Sequence, residues 1–397
     1  MKLAGIRVLD LSNFLPGPHF TMMMADHGAE VIHVENTQGG EPNREIGSRR
    51  DGVTVYYTNT HRGKKSLSLD LKAPEGKKIF LKLAENADVV VESFRAGTVD
   101  RLGIGYEAVA ARNPRIVYVS LSAFGQFGPD ADRVAHDLSV QAMTGLVSLN
   151  IGNDGKPVMP NIPAADMCSS LMAFCGVLMA LLRRKDTGKG DYIDISMMDS
   201  LQSWTVNVTG PIFAGEPEPH PRHTRTLGGY GLYNIYETRD GRFITLGGSE
   251  IKFARNLLTA LGREDLIQIC EQPPGPAHDP VKKFLRDTFL TKTWQEWIEW
   301  FKGRDICFAP VKTLREGFDD PHTHARHMLL TDDRGWEHIG IPIKFRDEPG
   351  RANLHAPELG ENSQEIVESL NYDRDKIEAL KAKGVYRTNR NGRQSPH

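Results

Sequence analysis

The sequence is poor in cysteine, in long apolar runs and in excess charge of either sign. Its 397 residues include 4 cysteines: Cys168, Cys175, Cys270 and Cys307. None lies in a Cys-x-x-Cys pair, so we expect neither disulfides nor a metal site and predict a reducing, cytoplasmic setting. The 49 basic and 51 acidic side chains nearly cancel, which argues against a nucleic-acid partner.

No apolar run is long enough for a membrane span. The longest, Leu171 to Leu182, would measure about 18 Å as a helix, well short of the roughly 30 Å hydrocarbon core of a bilayer. The N-terminal MKLAGIRVLDL also lacks a charged segment followed by a long apolar one. We therefore expect no export and no membrane partner.

The first half of the chain alternates two kinds of segment. IRVLDL, AEVIHVE, DVVVES and RIVYVSLS are short and apolar like buried strands, whereas PHFTMMMADHG and PEGKKIFLKLAENA are typical of helices. This alternation predicts an α/β fold with a Rossmann-like parallel sheet. No Gly-x-Gly-x-x-Gly follows the first strand, so the standard dinucleotide fingerprint is missing, although strand-end loops can still bind a ligand.

The second half indicates a further domain. A long apolar helix from Ala164 to Arg184 ends at DTGKG, and the Pro-, Gly- and charge-rich GEPEPHPRHTRTLGG is typical of a linker. Beyond it we predict a hairpin turning at Asp240-Gly241, then helices. The predicted domains are a large one, residues 1–215 and 326–397, and a small α/β one, residues 220–325. We expect the polar end YRTNRNGRQSPH to be frayed.

Two acidic residues are candidates for chemistry or for helix capping. Asp166 lies in the first turn of the long helix, where the helix dipole stabilises a carboxylate and keeps it ionised, as a nucleophile or base requires. Asp137 is expected to cap the helix that follows it. His136, beside it, is either a surface histidine or a proton carrier.

Other candidates also have two interpretations. The Gly-Gly turn before Glu250 either reverses the chain or offers N–H groups to a thioester oxygen. The basic groups Arg62, Lys64 and Lys65, and Arg95 with Arg101, serve solubility or a phosphate-bearing ligand. The histidines of HTHARH lack a carboxylate at helical spacing, so we predict that they are solvated and bind no metal.

Seven segments, in order, carry a resemblance to a known family: LAGIRVLDLSNFLPGPHFTMMMADHGAEVIHVE, RGKKSLSLDLK, VVVESFRAGTVDRLGIGYE, SAFGQFGPDADRVAHDL, ALLRRKDTGKGDYIDISMMDS, FAPVKT and LGENSQEIVESLNYDRDKIEALKAKGV. Over nearly the whole chain the sequence resembles the family III CoA-transferases (CaiB/BaiF type), which include the α-methylacyl-CoA racemases. The resemblance implies a large Rossmann-like domain, a smaller α/β domain and an interlocked homodimer.

The resemblance also implies the ligand and its site. Coenzyme A would be part of the acyl-CoA thioester substrate, with no prosthetic group. Asp166 falls on the family's catalytic aspartate. The positions expected near CoA are Asn13, Phe14, Leu15, Pro16, Gly17, Leu69, Lys72, Ser93, Phe94, Arg95 and Arg101.

The family contains two chemistries. In its transferases the aspartate resembles a nucleophile that forms a mixed anhydride and then an aspartyl-CoA thioester. In its racemases the aspartate and a histidine are two bases that flank the α-carbon, supported by a carboxylate of the small domain, because inversion removes a proton on one face and returns one on the other. The enolate oxygen must be stabilised for this step.

Local motifs favour the racemase. AHD, with His136 before the aspartate, and Glu250 after the Gly-Gly turn both resemble the racemase pattern. VENTQGGEPNRE looks like a transferase, and Asn36 replaces a residue expected to contact CoA; MCSS after Asp166 also departs from the glycine-rich racemase pattern. A non-catalytic acyl-CoA binder is the third hypothesis, and it would need neither Asp166 nor His136.

Overall fold

The computed structural model describes residues 1–152 and 154–389, and in them the chain forms a mixed α/β fold. The strands are β1 Arg7–Asp10, β2 Glu30–Glu35, β3 Arg49–Arg50, β4 Val53–Thr54, β5 Lys65–Leu69, β6 Val89–Glu92, β7 Val117–Ser122, β8 Asp191–Ser196, β9 Tyr233–Glu237, β10 Phe243–Gly247, β11 Phe308–Pro310, β12 Leu329–Thr331, β13 Glu337–Ile339 and β14 Tyr386–Arg387.

Helices connect these strands. They are α1 Pro16–Asp26, α2 Val55–His61, α3 Pro74–Ala84, α4 Thr98–Leu102, α5 Tyr106–Ala110, α6 Asp137–Met143, α7 Leu146–Leu149, α8 Ala164–Thr187, α9 Met197–Gln202, α10 Gly210–Phe213, α11 Ile251–Ala260, α12 Ile267–Cys270, α13 Asp279–Phe289, α14 Trp294–Phe301, α15 Leu314–Phe318, α16 Pro321–Ala325, α17 Ser363–Glu368 and α18 Arg374–Ala382. Short 3-10 turns lie at Pro42–Arg44, Arg225–Leu227, Glu264–Leu266 and Pro276–His278.

The largest sheet has seven strands in the order β14-β5-β2-β1-β6-β7-β8. Every neighbouring pair is parallel except β14 with β5. The six parallel strands therefore follow the doubly wound order 3-2-1-4-5-6, whose direction of winding reverses between β1 and β6. The predicted α/β class and its large parallel sheet are confirmed.

The central strands are apolar on both faces because helices cover the sheet. Val89, Val90 and Val91 of β6 are fully buried, as is Leu9 of β1. Strands of a parallel sheet that are buried on both faces consist of consecutive apolar residues, and this pattern is what predicted them from the sequence.

The chain ends differ from the prediction at one point. Tyr386 and Arg387 form β14, which pairs antiparallel with Leu69 and Ser68 of β5. The side chain of Tyr386 is buried, so this part of the predicted frayed end is ordered by burial and ladder hydrogen bonds. Residues 390–397 of that prediction lie outside the described residues.

Contacts between residues divide the chain into two compact units. The first comprises residues 1–144, 161–204 and 321 onward, and it contains the large sheet. The second comprises residues 145–160 and 205–320. Its three-stranded antiparallel sheet, in the order β11-β10-β9, packs on a core that includes Trp297 and Phe289. The predicted hairpin at Asp240-Gly241 is the β9–β10 connection.

Helix α8 is the longest helix of the described residues, and it ends where the sequence predicts. Its C-cap is Gly188 with φ 69°, a left-handed conformation that glycine adopts at little cost. By length and composition alone α8 could also cross a membrane. That is weak evidence, because the core helix of a soluble protein meets the same two criteria.

Candidate active site

The carboxyl ends of the parallel strands meet at one edge of the sheet, and the first candidate residues lie there. At the reversal point the backbone N–H of Asn13, after β1, donates to Ser93 Oγ, after β6, at 2.9 Å. A cavity of about 410 Å³ opens beside this contact. Its lining residues are Leu11, Asn13, Val34, Glu35, Asn36, Thr37, Gln38, Leu69, Asp70, Leu71, Lys72, Phe94 and Leu102.

Four of the positions expected near CoA line this cavity, namely Asn13, Leu69, Lys72 and Phe94. A second, smaller cavity of about 110 Å³ is lined in part by Ser93, Phe94 and Arg95. Open α/β sheets bind ligands in the crevice outside the strand ends at the reversal point. Six of the eleven positions expected near CoA thus line one of these two cavities, and their role in binding stays a prediction.

Three cations near this edge are free to meet an anion. Lys72, Arg95 and Arg101 are exposed, and none of them forms an ion pair with any described residue. Arg101 donates only to the hydroxyl of Thr98, at 3.0 Å. Unpaired lysine and arginine side chains at strand ends suit phosphate groups.

The other predicted basic group is engaged inside the protein. Lys64 is buried and donates to Asp10 Oδ2 and to the carbonyl of Pro18, both at 2.9 Å. Arg62, also buried, pairs with Asp26 at 2.6 Å. The interpretations of these two as solubility or phosphate-binding residues are wrong, because a buried charge requires an internal partner and each has one.

Pro16 and Gly17 begin helix α1, and each has a structural reason for its identity. Pro16 is the first helical residue, where proline fits without losing a hydrogen bond, and it is buried, as is Gly17. A Cβ on Gly17 would lie 2.2 Å from the side chain of Ser12, so only glycine fits. Leu15 is the N-cap residue and has no capping side chain.

Asp137 joins two helices. Its Oδ1 accepts hydrogen bonds from the backbone N–H groups of Ala165 at 2.8 Å and Asp166 at 3.1 Å, so it caps the start of α8. The expectation that Asp137 caps its own helix is wrong, because His136 is the N-cap residue of α6 and makes no side-chain cap. Gln141 holds Asp137 from the other side by donating to Oδ2 at 2.6 Å.

Asp166 is half-buried at the start of α8, and its surroundings change its acidity. Burial, and next the negative charge of Asp137, raise the pKa of Asp166 to about 7. This pKa differs from the expectation that the helix dipole keeps the carboxylate ionised, because burial and a neighbouring negative charge both favour the protonated form. At neutral pH both the acid and the base form of Asp166 are populated, which suits proton transfer.

Replacing Asp137 by asparagine should shift the pH dependence of activity. Asparagine keeps an oxygen for the two N–H groups of α8 but removes the like charge, so the pKa of Asp166 should fall. If activity needs ionised Asp166, the acidic limb of kcat/KM, measured between about pH 5 and 9, moves to lower pH. Asp132→Asn, an equal charge change at an exposed residue, is the control; an acidic limb that stays in place or moves to higher pH would contradict the assignment.

His136 is exposed, and its imidazole makes no hydrogen bond with any described residue. Its one aromatic neighbour among them is Phe14, whose ring it meets edge-on with 5.6 Å between ring centroids and 87° between planes. Asp137, the next residue, holds the start of α8. The segment of His136 is thus tied to the helix that carries Asp166.

Two residues that the sequence analysis missed, Tyr56 and Glu92, have altered acidity. Burial, and then the charges of Asp166 and Glu41, raise the pKa of Tyr56 to about 12, so its phenol stays protonated. Burial raises the pKa of Glu92 to about 7, although its carboxylate accepts from the backbone N–H of Phe94 at 2.7 Å. Neither showed a signal in the sequence, because both follow from burial.

Replacing Glu92 by glutamine should stabilise the protein at alkaline pH. A carboxyl group whose pKa rises on folding, here from 4.5 to about 7, binds its proton more tightly in the folded state. The contribution of Glu92 to the free energy of unfolding is therefore greatest below pH 4.5 and is lost as the pH rises to about 7. Glutamine removes that loss, so the free energy of unfolding at about pH 8 should rise by roughly 2 kcal/mol, with little change near pH 5.

Urea unfolding at both pH values measures the effect of Glu92→Gln. Glu107→Gln, on an exposed part of α5, is the matched control. Equal stability of Glu92→Gln and the natural protein at alkaline pH would show that Glu92 ionises in the folded state without cost.

In the second unit, Glu250 is the N-cap residue of α11, and its exposed carboxylate makes no hydrogen bond with any described residue. The preceding N–H groups are occupied: Gly247 donates to the carbonyl of Cys307 at 2.9 Å and Gly248 to that of Leu232 at 3.0 Å. The interpretation in which these glycines offer N–H groups to a thioester is therefore wrong. The turn reverses the chain.

A cavity of about 410 Å³ lies within the second unit, close to Glu250 in sequence. Its lining residues are Thr226, Leu227, Gly228, Tyr233, Asn234, Ile235, Thr245, Leu246 and Gly247. None of these described side chains carries a charge.

As for metals, the described residues contain no group of three or more His, Cys, Asp or Glu side chains able to hold an ion.

The sheet places the protein in the class of open α/β proteins with a doubly wound parallel sheet. Residues 3–363 match the model of CoA-transferase family III, so the chain belongs to that family.

Its relatives have two activities. It is 33% identical to human alpha-methylacyl-CoA racemase, over 98% of this chain and 99% of the relative. It is 30% identical to mouse succinyl-CoA:glutarate CoA-transferase, over 96% and 90%. The crystal structure of a CAIB/BAIF family protein from Brucella suis superimposes with a TM-score of 0.81 at 27% identity, over 93% and 99% of the chains. The chain is accordingly an enzyme, a racemase or a CoA-transferase, of a family that acts on CoA substrates.

Proposed function

We propose that this enzyme is an α-methylacyl-CoA racemase or epimerase that transfers the α-proton between two bases. The observation that carries the proposal is the tie between His136 and Asp166: Asp137, adjacent to the histidine, accepts hydrogen bonds from the first turn of the aspartate's helix. A nucleophilic aspartate alone would need no imidazole on this segment. Two bases of different type are what inversion at one carbon requires.

The CoA portion of the substrate would lie at the strand-end edge of the sheet. The cavity beside Asn13 and Phe94 would receive the adenosine, and the unpaired cations Lys72, Arg95 and Arg101 would meet the phosphates. Such contacts position the thioester without acting on it chemically, and they leave the α-carbon to Asp166 and His136.

In the proposed reaction one base removes the α-proton and the electron pair moves onto the thioester oxygen as an enolate. The other base then protonates the opposite face of the α-carbon, and the thioester carbonyl re-forms. Asp166, with a pKa of about 7, can serve as either acid or base in this exchange. Glu250 is proposed as the supporting carboxylate. No step calls for a prosthetic group, and we expect the enzyme in the cytoplasm.

The test uses a single enantiomer of a 2-methylacyl-CoA in deuterated water with no acceptor acid. A racemase incorporates deuterium at the α-carbon and produces the other enantiomer, measured by proton NMR and chiral chromatography. The proposal is refuted if the enzyme causes neither deuterium incorporation at the α-carbon nor formation of the other enantiomer.

The second candidate is a CoA-transferase, favoured by the transferase relatives and by the position of Asp166 at a helix start. Asp166 would attack the thioester carbonyl and expel CoA thiolate, forming a mixed anhydride. The thiolate would attack the aspartyl carbonyl and release the first acid, leaving an aspartyl-CoA thioester. A second carboxylate would attack this thioester and expel the thiolate as a new mixed anhydride forms. The thiolate would then attack the acyl carbonyl of that anhydride, giving the new acyl-CoA and freeing Asp166. Hydroxylamine would trap an aspartyl intermediate only in this case. A non-catalytic binder would give no product in either assay.

We further propose that the enzyme is an interlocked homodimer, as its resemblance to the family implies. Helix α8 exposes Leu178 at 38%, Met179 at 66% and Leu182 at 67% of their surface. Residues 178 and 182 lie on one helix face, and an apolar face of this kind requires cover. A second copy of the chain is the proposed cover.

Replacing both Met179 and Leu182 by serine should weaken this dimer. Light scattering after size exclusion should give twice the 44.3 kDa chain mass for the natural enzyme and a lower mass for the variant at low concentration. Leu290→Ser, at an equally apolar exposed position of the second unit, is the control. A natural enzyme of single-chain mass would contradict the dimer.

A further inference from the structure

Phe14 has a backbone conformation that a phenylalanine seldom adopts. Its φ is 64°, in the left-handed region that glycine tolerates and bulky residues avoid. Residues held in such a conformation persist only where the surroundings impose it, and they are frequent at functional sites. The reason for the strain must therefore lie in what surrounds Phe14 and in what its ring does.

Two buried side chains hold the backbone of Phe14 in place. Its N–H donates to Glu41 Oε1 at 2.7 Å, and its carbonyl accepts from Asn43 Nδ2. Glu41 and Asn43 are both buried, and they bind each other because the N–H of Asn43 donates to Glu41 Oε2 at 2.6 Å. We call these two side chains the Phe14 grip.

The grip is itself anchored. The backbone N–H of Glu41 donates to Glu35 Oε2 at 3.0 Å, and Glu35 forms an ion pair with Arg44 at 2.7 Å. A charged carboxylate buried in this way is costly unless hydrogen bonds satisfy it, and two of the bonds that satisfy Glu41 come from the backbone N–H groups of Phe14 and Asn43. The buried side chains of Glu41 and Asn43 thus fix the backbone conformation of Phe14.

The ring of Phe14 has no role in the core that would explain this arrangement. It is 40% exposed, and its aromatic contact among the described residues is the edge-on meeting with His136 at 5.6 Å. His136 makes no hydrogen bond with a described residue through its ring, so packing must set its orientation. Aromatic pairs prefer this edge-on geometry.

We propose that Glu41 and Asn43, through the strained Phe14, are positioning residues that hold the His136 imidazole in its working orientation. This role rests on the proposed racemase function. The Phe14 ring touches the imidazole, and the grip acts on the ring through the backbone.

The test compares Phe14→Ala with Phe14→Tyr, which keeps the ring. Each enantiomer of a 2-methylacyl-CoA is incubated separately in deuterated water. In Phe14→Ala, kcat for inversion should fall about tenfold to a hundredfold with KM within about twofold of the natural enzyme. Exchange of the α-proton for deuterium should persist in the enantiomer whose α-proton faces Asp166. This base can remove the proton and return a deuteron on the same face. Phe14→Tyr should keep inversion near the natural rate.

Glu41→Gln tests the grip itself. Glutamine can still accept from the N–H of Phe14, but its amide nitrogen cannot accept from that of Asn43. The same selective loss of inversion is expected, smaller than in Phe14→Ala. Circular dichroism and a thermal melt check that each variant folds. If Glu41→Gln does not fold, the comparison of Phe14→Ala with Phe14→Tyr is the test.

The outcomes separate the explanations. Unchanged inversion in Phe14→Ala overturns the inference, as does a rise in KM alone, which would make Phe14 only a CoA contact. Equal loss of exchange from both enantiomers overturns it too, since that indicates general damage to the site. If the natural enzyme exchanges neither enantiomer, the proposed function fails, and this role fails with it.

Discussion

Asp166→Ala should lower turnover by about a thousandfold or more, whichever of the two chemistries the enzyme performs. As a base, Asp166 removes or returns the α-proton; as a nucleophile, it attacks the thioester. Alanine can do neither. A thousandfold loss corresponds to roughly 4 kcal/mol of transition-state stabilisation.

The loss in Asp166→Ala should be in kcat, because the cations and cavity proposed for CoA lie on other segments. Affinity for CoA, measured by calorimetry, should stay within about twofold of the natural enzyme. Asp186→Ala, near the other end of the same helix, removes an exposed carboxylate and is the matched control. Substantial turnover by Asp166→Ala would remove this residue from the mechanism.

His136→Phe should separate the two chemistries. The rate of inversion should fall at least about a hundredfold, because one of the two bases is gone. Exchange of the α-proton should continue in the enantiomer whose α-proton faces Asp166. His136 makes no side-chain cap on α6, so the substitution should leave the helix start intact. CoA transfer, if it occurs at all, should survive.

The measurement for His136→Phe follows inversion and exchange in one sample. His324→Phe, an exposed histidine on α16, is the control for the change of residue type. An active racemase that carries His136→Phe would end the two-base interpretation and leave a transferase as the better account.

The sequence predicted the parallel sheet because buried strands are continuous apolar runs, and it predicted the end of α8 because Gly188 stops it. Its errors have a common cause. Asp137 caps another helix rather than its own, and Lys64 pairs with Asp10, distant in sequence. Each depends on a partner brought near only by the tertiary fold, which local patterns do not report.

The missed features depend on burial. Glu92 and Tyr56 acquire altered acidity from their surroundings, and the Phe14 grip requires Glu41 and Asn43 to meet a backbone some thirty residues earlier in the chain. The positive φ of Phe14 has no sequence signature, since the residue is not glycine. The domain boundaries, the role of Glu250 and the dimer stay predictions.

The most direct measurement is a crystal structure of the enzyme with a bound 2-methylacyl-CoA. The two-base account predicts that a ring nitrogen of His136 and a carboxylate oxygen of Asp166 lie on opposite faces of the α-carbon, each within about 3.5 Å. A complex in which Asp166 instead lies against the thioester carbonyl carbon, with His136 away from the α-carbon, would contradict it.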